Sequence, residues 1–291
     1  MNQRSILSIG AFALVLTFAY YGTELWLARK LDARIAALAH QLPSTVKVAI
    51  GQSSVRLFGY QAKVADVTVS GPAGRFRIDE VVFDRFDFTN EVPHYAHGTV
   101  RGLTLAADEL APGPRGVMTG LGYQQAVLDI AFGYRYDPDK ALFVIENFRV
   151  SGPEVGDLKL DAEIVNVVTL KPETPLAAAA LVLRAALHKA TLTYRDAGLA
   201  PRVEALGARQ AGLAVADYRA RLEGDFADAM AKTHDDGPRE AMAGLKAFVQ
   251  HPAAVTLTAQ PREPVPLFRV ATAGNAATAL RLLGVTVKTG P

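Results

Sequence analysis

His94 and His97, in the stretch "PHYAH", stand at positions i and i+3. On a helix that spacing would aim two imidazoles at one metal ion. Here the neighbourhood reads as extended or irregular, and no third ligand lies near in sequence, so no metal is expected. Asp137 and Asp139 in "YDPDK" carry the oxygens calcium prefers, yet Pro138 and the short spacing suit a tight hairpin turn better. Asp84 and Asp87 lie among alternating apolar and polar residues and read as the solvated face of a strand. His234, Asp235 and Asp236 read as a polar loop that caps a helix. The chain has no cysteine, which excludes disulfides, thiolate nucleophiles and thiolate metal sites. Neither a Gly-rich phosphate loop, nor Gly-x-Ser-x-Gly, nor His-Glu-x-x-His occurs. The expectation is a protein that is not an enzyme, with no catalytic residue and no cofactor.

The residue totals narrow the partners. Half of the 291 residues are apolar, enough for a real core. Lys and Arg number 31 and Asp and Glu 29, so the formal charge is only +2. Basic residues form no stripe interleaved with aromatics, and nucleic acid is not an expected partner.

The N-terminal segment points to a membrane. Ser5 to Thr23 contain no charge, and at ~1.5 Å per residue a helix there would span roughly 28 Å, close to the hydrocarbon thickness of a bilayer. Ile6, Phe12, Leu14, Leu16 and Phe18 supply its apolar body. Tyr20, Tyr21 and Trp26 gather at its far end, where aromatic rings favour the headgroup layer. No small-x-small cleavage site follows Ala19 before the charges begin, so the segment reads as an uncleaved signal anchor over residues 5 to 28. Leu31, Ile35, Leu38 and Leu42 continue a helical stripe to the stop at Pro43. Residues 1–42 are thus expected to be an anchor and stalk. Flanking cations lean slightly toward an inside C-terminus.

From Val46 the period changes to two. In "VLDIAFGYRYD", Leu128, Ile130, Phe132, Tyr134 and Tyr136 alternate with more polar positions, and in "DLKLDAEIV", Leu158 and Leu160 lead the same alternation. Such strands have one buried and one wet face, as in antiparallel sheets. Between Phe76 and Phe88 the phase slips twice, from Phe76 and Ile78 to Val81 and Phe83 and then to Phe86 and Phe88, which predicts a β-bulge. The string "VSGP" occurs at Val69–Pro72 and again at Val150–Pro153, each time after apolar-x-Asp/Asn-apolar-x. Ser-Gly-Pro cannot extend a ladder, so each copy predicts a hairpin turn and the pair suggests duplication. "VRGLTL" from Val100 is a looser echo.

After Lys171 helix signals return. Pro175 precedes "LAAAALVLRAAL", Pro201 opens a helix to Gln210, and Val215, Tyr218, Leu222, Phe226 and Met230 form a helical stripe expected to pack on the sheet. Asp235 and Pro238 start a further helix that His251-Pro252 ends. "HKATLTYRD", "AVTLTA" and "VTVK" read as strands around "GNAATALRLLG", a short helix capped by Gly284. The fold class expected is α+β: an N-terminal transmembrane helix, then a curved antiparallel sheet of repeated hairpins over residues 43–170. Residues 171–291 pack helices on that sheet and complete the same domain.

The anchor followed by "VKVAIGQSSVRLFGYQAKVADVTVSGPAGRFRIDEVVF" resembles the start of AsmA-like envelope proteins of Gram-negative bacteria and related bitopic periplasmic proteins. The pattern falls on Gly59, Val64, Asp66, Val67, Val69 and Gly71, and the resemblance covers residues 1–170. It implies a periplasmic sheet curved into an apolar groove and linked to lipid movement or envelope assembly. On that ground the chain is expected in the bacterial inner membrane as a single-pass protein, its bulk in the periplasm. Its partners are then a membrane lipid and another envelope or inner-membrane protein. Leu128, Ile130, Phe132, Tyr134, Tyr136, Leu158 and Leu160 are the expected groove wall. A non-catalytic structural or assembly subunit of a membrane complex is the alternative. The chain departs from the family pattern in its shortness and its helical C-terminal half.

Overall fold

A computed structural model describes residues 45–56, 61–87, 89–90, 93–168 and 184–290. Its organising element is a twelve-stranded antiparallel sheet. The strands are β1 (Lys47–Ala49), β2 (Gln52–Arg56), β3 (Gln61–Gly71), β4 (Gly74–Phe86), β5 (Tyr95–Ala106), β6 (Gln125–Asp137), β7 (Leu142–Gly152), β8 (Gly156–Val165), β9 (Ala186–Arg195), β10 (Ala254–Ala259), β11 (Val265–Pro266) and β12 (Val285–Gly290). From β3 to β10 each strand pairs with its chain neighbour, and β12 pairs with β10. The short β1 and β2 both pair with β3, and β11 pairs with β9. The helices are α1 (Pro112–Gly120), α2 (Leu199–Ala211), α3 (Val215–Ala231), α4 (Asp236–Gln250), α5 (Leu267–Ala271) and α6 (Ala276–Leu283).

The expected fold class is corrected at its first element. No helix of the described residues is long and apolar enough to cross a membrane. The longest, α3, has 17 residues, too few for the ~20 a span needs, and carries Asp217, Arg219, Arg221, Glu223, Asp225 and Asp228. The segment read as an anchor, with Ile6, Phe12, Leu14, Leu16, Phe18, Tyr20, Tyr21 and Trp26, lies outside the described residues, as do the stalk and residues 176–183; Ala186 and Leu187, expected to end the helix after Pro175, instead begin β9.

Both "VSGP" strings are hairpin turns of the one sheet. Gly71 faces Gly74 across the β3–β4 turn, and Gly152 faces Gly156 across the β7–β8 turn. The looser echo is the first strand of a third such hairpin, β5–β6. There a 3-10 turn (Ala107–Glu109) and α1 replace the tight turn.

These three hairpins share a backbone feature. Asp66 in β3, Gly102 in β5 and Asn147 in β7 adopt φ of +55°, +63° and +55°. Gly, Asn and Asp tolerate this left-handed conformation best. Each residue absorbs a phase slip. In β5 the inward residues pass from Val100 to Leu103, and in β7 from Ile145 to Phe148, while β6 and β8 alternate without a break. In β3 the passage from Val64 to Val67 is matched in β4 by that from Val81 to Ile78, so their pairing keeps step. A carboxylate on the next strand secures the later two: the Gly102 N–H donates to Asp129 Oδ1 at 2.9 Å, and the Asn147 N–H to Asp161 Oδ1 at 2.9 Å. The second slip in β4 also appears, as a register shift between Phe83 and Arg85.

The helices pack at one end of the sheet. Ala241 of α4 is buried against Ala259 of β10 and Val285 of β12, with Leu187, Ala190 and Leu257 around them. The stripe on α3 departs from expectation: α3 packs on α2 and α4 instead of the sheet, and none of its residues is buried. A second cluster, Ala62, Val64 and Val67 with Val81 and Phe83, forms at the β3–β4 end.

The left-handed sites make a direct prediction. Asn147→Gly keeps the fold and its stability within about 0.5 kcal/mol, whereas Asn147→Val costs about 2 kcal/mol. Gly102→Val costs more, because its Cβ would lie 2.0 Å from Asp79 Oδ2. Urea unfolding of the three variants checks the order.

Candidate functional site

Strand pairing lines up the apolar residues into rows that cross the sheet. The first runs Val64, Val81, Val100, Ile130, Val150, Leu158, Tyr194 and Val255, one residue per strand from β3 to β10. At ~4.8 Å per strand step this row is roughly 34 Å long. A parallel row begins at Ala62, Phe83, Gly98 and Phe132 and resumes on β7 as Phe148, Leu160, Leu192, Leu257 and Val287. A third runs Phe86, Ala96, Tyr134, Ile145, Ala162, Ala190, Ala259 and Val285. The opposite face is polar and ion-paired: Lys63 lies 2.8 Å from Glu80, and Arg149 lies 2.7 Å from Asp157.

All seven residues expected as a groove wall lie on the apolar face. Ile130 and Leu158 belong to the first row and flank Val150. Phe132 and Leu160 belong to the second, and Tyr134 to the third. Leu128 opposes Leu103, and Tyr136 opposes Phe143. Tyr136 is buried and its hydroxyl donates to Val167 O at 3.1 Å. The Tyr134 ring stacks on Phe143 with centroids 5.3 Å apart, and its hydroxyl donates to Pro93 O at 3.3 Å. Burial first, and the nearby Asp87 charge second, raise the Tyr134 hydroxyl above its ordinary pKa. Phe132 lies edge-on to Phe83 at 5.9 Å. The ring covers Gly98, where a Cβ would come within 2.9 Å of Phe132 Cζ. The candidates from sequence omitted Val64, Val81, Phe83, Val100 and Val150, whose strands slip phase.

None of the described helices packs extensively on β3 to β8; α4 meets the apolar face at β10 and β12. Yet Val81, Val100, Ile130, Val150 and Leu158 are half-buried. A strongly bulged sheet draws neighbouring side chains together in this way, because each bulge increases the local twist and bend.

The polar candidates do other work. His97 sits on the polar face with Nε2 3.6 Å from Glu146. The His94 ring lies 5.8 Å from Tyr136 and its backbone N–H donates to Asp87. The two imidazoles serve different contacts, and among the described residues no cluster of His, Asp and Glu is arranged to hold a metal. Asp137 accepts from the Lys140 N–H in the β6–β7 turn. Asp235 precedes α4 without a side-chain cap and lies 3.4 Å from Arg281.

Asp87 corrects the reading of a solvated carboxylate: it is 3% exposed, the buried charged residue of the described chain. Its oxygens accept from the N–H groups of Thr89, Asn90 and His94 and from Asn90 Nδ2. Burial opposes its ionisation, but these hydrogen bonds outweigh burial and hold its carboxyl well below the usual carboxylate range.

At the second "VSGP" turn, aromatic hydroxyls clamp the backbone. Tyr123 donates to Glu154 O at 2.7 Å, and the Tyr194 hydroxyl lies 2.7 Å from both Val155 O and Asp196 Oδ1, which share its one proton. Asp196 also accepts from the Gly198 and Ala200 N–H groups and so starts α2. Burial, then the bond to Asp196, raises the Tyr194 hydroxyl well above its ordinary pKa.

Residues 149–290, just under half of the chain, match a family described as "Uncharacterized protein". The match starts within β7 and takes in the clamped turn, β8 to β12 and α2 to α6. No curated protein matches the chain.

Because folding lowers the Asp87 pKa, its stabilisation is full above about pH 4 and is lost as pH falls through the folded-state value. Asp87→Asn therefore costs about 2 kcal/mol at neutral pH. The difference from wild type shrinks on acidification below pH 4, as melts at stepped pH will record.

Proposed function

We propose that the protein is a lipid-binding module whose apolar sheet face holds acyl chains and passes them along the rows. One observation carries this reading: registered apolar rows cross the sheet from β3 to β10, and among the described helices α4 packs on that face, at its β10 and β12 end. A track of roughly 34 Å exceeds the ~15 Å that one leaflet's acyl chains fill, so a whole chain could lie along it. Each methylene removed from water there contributes ~0.8 kcal/mol. The resemblance to AsmA-like envelope proteins supports the same reading and favours a periplasmic setting. The lack of cysteine suits that compartment.

Ile130→Asp tests the proposal, with Ala131→Asp on the opposite face as control. The expected result is loss of co-purifying lipid in the Ile130 variant by mass spectrometry, retention in the Ala131 variant, and cooperative melting of both. A folded Ile130 variant that still carries its lipid would contradict the proposal. Collapse of that variant alone would assign the stripe to sealed core, where an unpaired charge costs several kcal/mol.

A further inference from the structure

The first apolar row does not stop at the last strand that the described helices leave clear. Leu158 pairs with Tyr194, and the Tyr194 ring lies edge-on to Phe248 of α4 at 6.1 Å. Tyr194 and Phe248 also line a cleft of about 290 Å³ between α2, α3 and α4, together with Leu199, Val203, Tyr218 and Leu222. Tyr194 is thus common to the first row of the sheet and to the lining of the helical cleft.

The lining decides what the cleft can take. The one proton of the Tyr194 hydroxyl is already shared between Val155 O and Asp196 Oδ1. Glu204, the charged residue at the rim, is held by both Arg219 Nε and a second guanidinium nitrogen at 2.7 Å. Both polar groups of the lining thus already have partners within the protein. What remains is aliphatic and aromatic surface, with Val203 51% exposed at the mouth. The volume lies at the small end of ligand pockets, enough for part of one chain and not for a folded partner.

We infer that this cleft receives the methyl end of a single acyl chain whose upper part lies on the first row. The inference rests on the lipid-binding reading of the sheet and adds to it a polarity: the chain end points toward the helices, the headgroup toward β3. It also explains why α3 carries an apolar stripe without packing on the sheet: Tyr218 and Leu222 of that stripe form the cleft's outer wall.

Two photoreactive palmitic acids test it on the full-length protein, one with a diazirine at the methyl end and one with a diazirine beside the carboxylate. The expected result is saturable labelling of peptides within 199–250 by the first and of β6 and β7 by the second. Val203→Trp, a change at a half-exposed site, should cut the first signal at least about fivefold and leave the second unchanged. Leu222→Trp should do the same if its melt stays cooperative. Methyl-end labelling confined to β6–β8 in the wild type would overturn the cleft assignment while leaving the sheet reading intact. Absence of saturable labelling anywhere would overturn both.

Discussion

The left-handed backbone at Asp66, Gly102 and Asn147 is the constraint on which the rest depends. A side chain in a strand changes face at every step, so a slip of one residue would turn half of a strand inside out. In β5 and β7 the apolar residues are spaced three apart at one point, and without correction Leu103 or Phe148 would face water. One left-handed residue in each strand takes up the extra position and returns the following residues to the apolar face. Asp129 and Asp161 accept the N–H groups that the ladder leaves over. The left-handed residue thus recurs in all three hairpins, with the carboxylate in β5–β6 and β7–β8 and the tight turn in β3–β4 and β7–β8.

From that correction follows a sheet with two unlike faces. Rows of Val, Ile, Leu and aromatic residues cross one face in register, and ion pairs such as Arg149–Asp157 occupy the other. Exposed pairs of this kind add little stability; their effect is to keep that face wet and unsuited to packing. Helices gather at the β9–β12 end, where Ala162, Ala190 and Ala259 leave room for α4 to approach closely. Small residues at one end and large ones along β4 to β8 divide the same face into a helix dock and an apolar track.

Much of this was legible in the chain. The unbroken alternation of β6 and β8 gave Leu128 to Tyr136 and Leu158 to Leu160 their common face, and the twin "VSGP" strings marked two turns. The slips in β4 were visible because Phe and Val step from even to odd positions. The same signal stood in the repeat itself, as apolar residues three apart around Asp66 and Asn147, but it reads as a motif until the backbone shows φ turning positive there. Asp87 was illegible for another reason: its burial depends on Thr89, Asn90 and His94 folding back over it, and no local pattern announces a loop that wraps a carboxylate. The position of α3 was likewise hidden, since an amphipathic stripe says that a face is apolar and not which element meets it.

The central claim is that the apolar face is open to an acyl chain and is not a sealed core. Isotope-edited NMR on protein with labelled Ile, Leu and Val methyl groups, mixed with carbon-13 palmitate, addresses it directly. The account predicts intermolecular NOEs from the fatty-acid methylenes to methyls of Val100, Ile130, Val150 and Leu158, and none to Val127 or Val144 on the other face. Bound palmitate without contacts to the first row, or contacts only to the polar-face methyls, would contradict it.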